Sequence, residues 1–259
     1  MKKSLLAALL ALSVTVPALA FTRSRDAQNG VCTYWKDFSM NWVLNQACSA
    51  DLALENCVNA IRAAFETWNQ VECSPFVFNY DGLTERTDVG FDQQHWNQNI
   101  NLVIFREEDW SHGAAAIAMT TTTYDIESGE LVDADLELNG KNFIFDTQPS
   151  PRPGHTDLQN TVTHEAGHML GLDHSLDPQA TMFATAPPGD IEKRTLDKDD
   201  IDGICFVYPM SGKIPMYTDP TMTTVCGKDS DQGCCSTAGG ARGGPALLLL
   251  LLLFRRRKR

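Results

Sequence analysis

The sequence predicts an α+β or α/β domain built on a single mixed sheet. Three observations carry this: an amphipathic helix stripe near residue 60, a block of short β-branched and aromatic runs between residues 76 and 145, and two further helices after residue 155. In the first helix, over residues 55–70, Val58, Ile61, Phe65 and Trp68 recur at intervals of 3, 4 and 3, which makes one buried face. Phe76–Tyr80, Ile100–Phe105 and Asn142–Phe145 are short runs of strand-forming residues. Ala114–Thr123, small and threonine-rich, suits an edge strand. In Leu131–Leu138 the residues Val132, Ala134, Leu136 and Leu138 alternate with Asp133, Asp135 and Glu137, giving a strand with one apolar and one acidic face. Thr156 or Asp157 can cap a helix running through Leu158, Val162, Ala166, Met169 and Leu170, and Gly171 can adopt the left-handed conformation that ends it. The last helix starts near Asp197, places Asp199 and Asp200 at the positive end of its dipole, buries Ile201, Ile204, Cys205 and Tyr208, and stops at Pro209.

The chain has 259 residues, 43% of them hydrophobic and 21% charged, which is globular rather than disordered or coiled-coil composition. Its net charge of -12 has the wrong sign for nucleic-acid binding. Position sharpens this: residues 21–238 hold 13 basic and 33 acidic residues, a net of -20, while the other basic residues sit at the two ends. Lys2 and Lys3 precede the apolar run Leu5–Leu12 and then Pro17-Ala18-Leu19-Ala20, which reads as a secretory signal peptide over residues 1–20. Residues 21–30 then form the N-terminal segment of the mature chain, 31–209 the folded domain and 210–233 a linker rich in Thr, Gly, Asp and Ser. Eight cysteines suit an oxidising compartment; Cys32, Cys48, Cys57, Cys73, Cys205 and Cys226 read as disulfide partners, and the first four could close two loops in any of three pairings.

Residues 234–259 combine Cys234-Cys235, a glycine-rich stretch, the apolar run Ala246–Phe254 and a final basic cluster, Arg255 to Arg259. The apolar length is at the lower limit for crossing a bilayer, and the basic end would stay cytoplasmic, leaving the folded domain outside. This tail resembles the MYXO-CTERM sorting tails of myxobacterial surface proteins. The resemblance implies passage through export machinery, processing near Cys235 or Cys234 by a C-terminal sorting protease, and display on the surface of a Gram-negative cell. A plain transmembrane anchor is the alternative; in both, the membrane is met only through the tail.

The chemistry is concentrated in His164-Glu165-Ala166-Gly167-His168-Met169-Leu170-Gly171-Leu172-Asp173-His174. His164 and His168, four apart on a helix, project from one face and can share a cation. Glu165 is placed to reach a water on that cation without binding it. Gly171 lets the chain leave the helix sharply and return His174 as a third nitrogen ligand. Three neutral imidazoles leave a tetrahedral zinc ion one open position, the arrangement of a catalytic site. The segment resembles the metzincin zinc peptidases, His-Glu-x-x-His-x-x-Gly-x-x-His followed by a methionine turn. Ser175 and Ala180-Thr181-Met182-Phe183 resemble the matrixin branch in particular, which makes Met182 the candidate methionine beneath the zinc.

The resemblance implies the metzincin architecture: a mixed, mostly parallel twisted sheet with an amphipathic helix, an active-site helix and a C-terminal helix. It also implies a zinc endopeptidase in which Glu165 serves as general base and acid, acting on extracellular proteins or peptides that pair with an edge strand, here Ala114–Thr120, past a pocket walled by Ala184–Arg194. Matrixins commonly hold a second, structural zinc, but His95, His112 and His155 lack the required spacing, so one catalytic Zn2+ is expected. Asp133, Asp135 and Glu137 are a candidate Ca2+ set, against an ordinary solvated acidic face. The signal peptide ends only 11 positions before Val31, which leaves too few residues for a propeptide that occupies the zinc through a cysteine. A non-catalytic, surface-attached metal-binding or adhesion module is the competing function; the intact Glu165 argues against it, because such a module needs no base.

Overall fold

The computed structural model describes residues 20–214 and the pair Ser236–Thr237. The regular elements are β1 (Thr22–Arg23), β2 (Ser39–Asn45), α1 (Leu54–Asn69), β3 (Val77–Thr84), β4 (Asn101–Phe105), β5 (Ala118–Tyr124), β6 (Leu131–Leu138), β7 (Phe145–Asp146), β8 (Thr156–Asp157), α2 (Leu158–Met169), β9 (Leu172–Asp173) and α3 (Lys198–Val207). A five-stranded sheet runs β3-β2-β4-β6-β5, parallel throughout except for antiparallel β5 at one edge. The expected α+β class and mostly parallel sheet are thus what the chain forms.

β2 is the strand that was not anticipated, although Met40, Trp42 and Leu44 alternate as an inward face and all three are buried. Trp42 stacks on Phe65 of α1 with ring centroids 4.1 Å apart, and Phe65 meets Phe78 of β3 edge-on at 4.8 Å. α1 has no side-chain cap at Ala53, so packing of Ile61, Ala64, Phe65 and Trp68 is what holds it. Trp68 also donates its indole N–H to the carbonyl of Thr163, fixing α1 against α2 at 2.8 Å.

Three expectations need correction. Of Asn142–Phe145 only Phe145 is strand, in Phe145–Asp146, which pairs with β8. Ala114–Ala115 is a turn, and the regular edge strand begins at Ala118. The acidic face of β6 is not solvated: Asp133, Asp135 and Glu137 are all buried, and Val132 is the one exposed residue of the strand. β6 lies between β4 and β5, and its acidic face is roofed by the loops around Gly90 and Arg106, whose groups bond to those carboxylates.

The disulfides differ from a closed cluster of the first four cysteines. Cys48 pairs with Cys57, but Cys73 reaches across the fold to Cys205 on α3, and Cys32 is also disulfide-bonded. The N-terminal segment belongs to the fold too, because β1 pairs antiparallel with β9. No helix among the described residues is long and apolar enough to cross a membrane. The expected signal peptide apart from Ala20, together with Cys234, Cys235 and the apolar tail, lies outside the described residues.

Candidate metal centre and active site

α2 begins at Asp157, whose carboxylate accepts the N–H of Asn160 at 2.7 Å. One turn further on, His164 and His168 share a face. The helix stops at Gly171, whose φ of +92° suits glycine; a Cβ there would also meet the Thr33 carbonyl at 2.8 Å. The chain then runs through β9 and delivers His174. The nitrogen atoms of His164, His168 and His174 lie within 4.8 Å of one another, the one such group of potential metal ligands among the described residues.

Hydrogen bonding fixes which ring nitrogens face inward. His164 Nδ1 donates to the carbonyl of Thr181 at 2.6 Å and His168 Nδ1 to that of Leu172 at 2.9 Å, so each Nε2 presents a lone pair. These two Nε2 atoms stand 3.2 Å apart, and Nε2 of His174 is buried without a partner. Three convergent lone pairs repel one another unless a cation sits among them. Burial, with neighbouring Lys193 and His168, pushes His164 well below its usual pKa; burial and then His168 push His174 down to about 3. Imidazoles so disposed are neutral at pH 7, as zinc ligands must be. The donor set fits a single zinc ion.

Glu165 is fully buried. Its Oε2 accepts the Thr120 hydroxyl at 2.7 Å, and its Oε1 has no hydrogen-bond partner. Burial pushes its carboxyl up from the usual range, while His168 and the Thr120 hydroxyl act in the opposite direction.

Met182 lies 1% exposed beneath α2, and its sulfur fills the space left by Gly167: a Cβ on Gly167 would collide with Met182 Sδ and stand 2.9 Å from Trp68. α3 anchors this turn. Asp200 accepts from the N–H groups of Thr181 and Met182. Its neighbour Asp199 accepts from Ala20 and Phe21 at 3.0 and 2.8 Å and from the Ser175 hydroxyl at 2.6 Å. Sequence reasoning placed these aspartates in an acidic first turn and gave them no contact with the metal site. The β1 segment, likewise unassigned, supports the third histidine: Thr22 donates its hydroxyl to the His174 carbonyl, Ser24 N–H donates to Gly171 at 2.8 Å, and Ser24 Oγ donates to Leu172 at 3.0 Å.

Among the described residues β5 is an edge strand of the sheet. A small pocket lies between the first turn of α2 and the segment after Met182, lined by Ile117, Asn160, Thr161, Ala186, Pro188 and Asp190. Lys193, buried behind this wall, donates to the Phe183 carbonyl and lies 3.5 Å from His164 Nδ1.

The remaining candidates are dispersed. Glu137 is paired with Arg106 and His112. Asp135 accepts from Gly90 and from Leu102 N–H, and Asp133 keeps a buried Oδ2 without a partner. Burial pushes both aspartates up, with Asp135 adding to the rise of Asp133 and Glu137 and Asp88 to that of Asp135. His95 pairs with Asp92 in an exposed loop, His112 with Glu137, and His155 lies 3.8 Å from Asp146.

Comparison with known proteins agrees with this geometry. The model of the peptidase M10 family, matrixin, matches residues 34–209. Human matrix metalloproteinase-16 is 28% identical over 171 residues, 63% of this chain and 26% of that protein. Matrix metalloproteinase-27 of Tupaia belangeri is 44% identical over 203 residues, covering 73% and 35%. Human neutrophil collagenase is 25% identical over 167 residues, covering 64% and 32%. The chain thus spans about a quarter to a third of the length of these relatives. Because the matrixin model covers residues 34–209, well over half of the chain, the chain belongs to the matrixin family.

Proposed function

We propose that the protein is an exported zinc endopeptidase that hydrolyses peptide bonds of extracellular proteins. The carrying observation is the juxtaposition of three inward-facing imidazole lone pairs with a buried carboxylate that has one oxygen uncommitted. Zinc held by His164, His168 and His174 supplies acidification of a water and polarisation of the scissile carbonyl. Glu165 accepts the water proton on its free oxygen and returns it to the leaving amine. An extended substrate pairs with the outer edge of β5 and places the side chain after the scissile bond in the pocket beside Asn160. No protein nucleophile enters the reaction. Purified protein should cleave unfolded casein or gelatin, lose activity to a chelator and recover it with zinc; a Glu165→Ala variant that cleaves as fast as the parent sinks the mechanism.

The address is also a proposal: residues 1–20 export the chain, and the tail with Cys234 and Cys235 places it at the cell surface. Mass spectrometry of the secreted and cell-associated forms tests both termini. For calcium, Glu137 is committed to its cations, which leaves Asp133 and Asp135; the unpartnered Oδ2 of Asp133 is what favours a cation there. Calcium should then raise the melting temperature of the parent and not of Asp133→Asn.

A further inference from the structure

We propose that Thr120 is a positioning residue for hydrolysis: its hydroxyl, carried by the strand on which substrate docks, anchors one carboxylate oxygen of Glu165 and leaves the other to exchange protons. The inference rests on the reading of Glu165 as the base.

A glutamate carboxylate turns about a broad, weakly preferred terminal torsion, so nothing in the side chain itself decides which oxygen faces the reacting water. Here the choice is made by the surroundings. Glu165 is fully buried, and the hydroxyl of Thr120 donates to its carboxylate, at 2.7 Å to Oε2. Oε1 is buried and unpartnered, and a buried oxygen in that state awaits a donor.

A more ordinary role for Thr120 is to tie β5 to α2, since its hydroxyl also lies 3.3 Å from the main-chain carbonyl of Glu165. A hydroxyl has one proton to give, however, and the carboxylate oxygen is both nearer and the stronger acceptor. Alternation along β5 explains why this residue is the one that reaches the base. Thr120 and Ala118 share a face, and Ala118 is fully buried on it. Among the described residues no strand of the sheet pairs with the other edge of β5, which is the edge proposed to take a peptide. Substrate docking and base orientation therefore share one rigid element, although Thr120 itself need touch no substrate.

Thr120→Val keeps shape and strand preference and removes the donor; Thr120→Ala removes both, and Thr120→Ser restores the donor. On the full-length, zinc-loaded protein acting on a fluorogenic peptide, Val and Ala should each lower kcat about tenfold at unchanged KM, the size of one lost hydrogen bond to a charged group, and Ser should recover most of the rate. Zinc content and melting temperature of the Val variant should stay at parental values. Binding of a peptide hydroxamate, which shares a proton with the base, should weaken in Val and not in Ser. Parental kcat in Val and Ala overturns the proposal, as does a loss confined to KM or accompanied by loss of zinc. Glu165→Ala run in parallel separates the two readings: if it is inactive while Val is unimpaired, only the role of Thr120 falls, and if it is fully active the base assignment falls as well.

Discussion

Asp200 holds Met182 in place: its Oδ1 accepts the Met182 N–H at 2.9 Å while its Oδ2 accepts that of Thr181 at 2.7 Å. The same Thr181 gives its carbonyl to His164 Nδ1. A carboxylate on α3 is therefore two bonds away from a metal ligand. Asp200→Ala leaves two buried N–H groups unpaired and should cost about 3 kcal/mol of stability, with zinc retained less tightly. Urea unfolding and a competitive zinc chelator read the two effects; an unchanged unfolding midpoint would contradict the assignment.

β1 should matter to the metal although no residue in it is a ligand. Shortening the chain to begin after Ser24 removes the hydrogen bonds to His174, Leu172 and Gly171. Zinc transfer to a chromogenic chelator should then accelerate about tenfold, as for loss of groups that orient a ligand. Thr22→Val, which removes one hydroxyl, should show a smaller change in the same direction.

The two disulfides closed within the described residues should contribute unequally. Cys48–Cys57 spans 9 residues and Cys73–Cys205 spans 132. On chain entropy alone these correspond to about 2.5 and about 5 kcal/mol. Paired serine substitutions of the longer link should therefore lower the melting temperature by clearly more than those of the shorter one; equal losses would point to native-state packing as the source.

The acidic face of β6 should give the fold a distinctive response to pH. Burial raises the Asp133 carboxyl above its unfolded value, and Asp135 beside it adds to the rise. The folded state then binds the proton more tightly than the unfolded one. Stability from this group is full below about pH 4, the unfolded value, and declines as pH rises toward the folded one. Asp133→Asn should accordingly unfold at higher temperature than the parent at pH 8, by roughly 1–3 kcal/mol in stability, with the difference closing toward pH 4. The measurement is thermal unfolding across that range without calcium.

The zinc segment was readable from sequence because its spacing is local: His164 and His168 are one helical turn apart, and Gly171 marks the exit. α1, α2, α3 and β6 were readable for the same reason, each carrying its own periodicity. Other features depend on contacts distant in sequence. β1 is two residues long and exists only because β9 lies beside it. Cys73 has a neighbour in sequence at Cys57 but a partner 132 residues away. Asp133, Asp135 and Glu137 alternate like a solvated face, and only the loops above them reveal burial. Thr120 looked like any other threonine in a threonine-rich strand until α2 was placed against it. β2 was different: Met40, Trp42 and Leu44 carried a readable period of two.

The first turn of α3 gathers three otherwise separate stretches of chain. Asp199 takes the backbone at Ala20 and Phe21 and the hydroxyl of Ser175, and Asp200 takes the backbone at Thr181 and Met182. Fraying of that single turn releases the amino-terminal strand, the arm of the third ligand and the floor of the metal site together. In hydrogen exchange the amides of Phe21, Thr181 and Met182 should open as one cooperative unit, with a common free energy, despite lying as much as 161 positions apart in the chain.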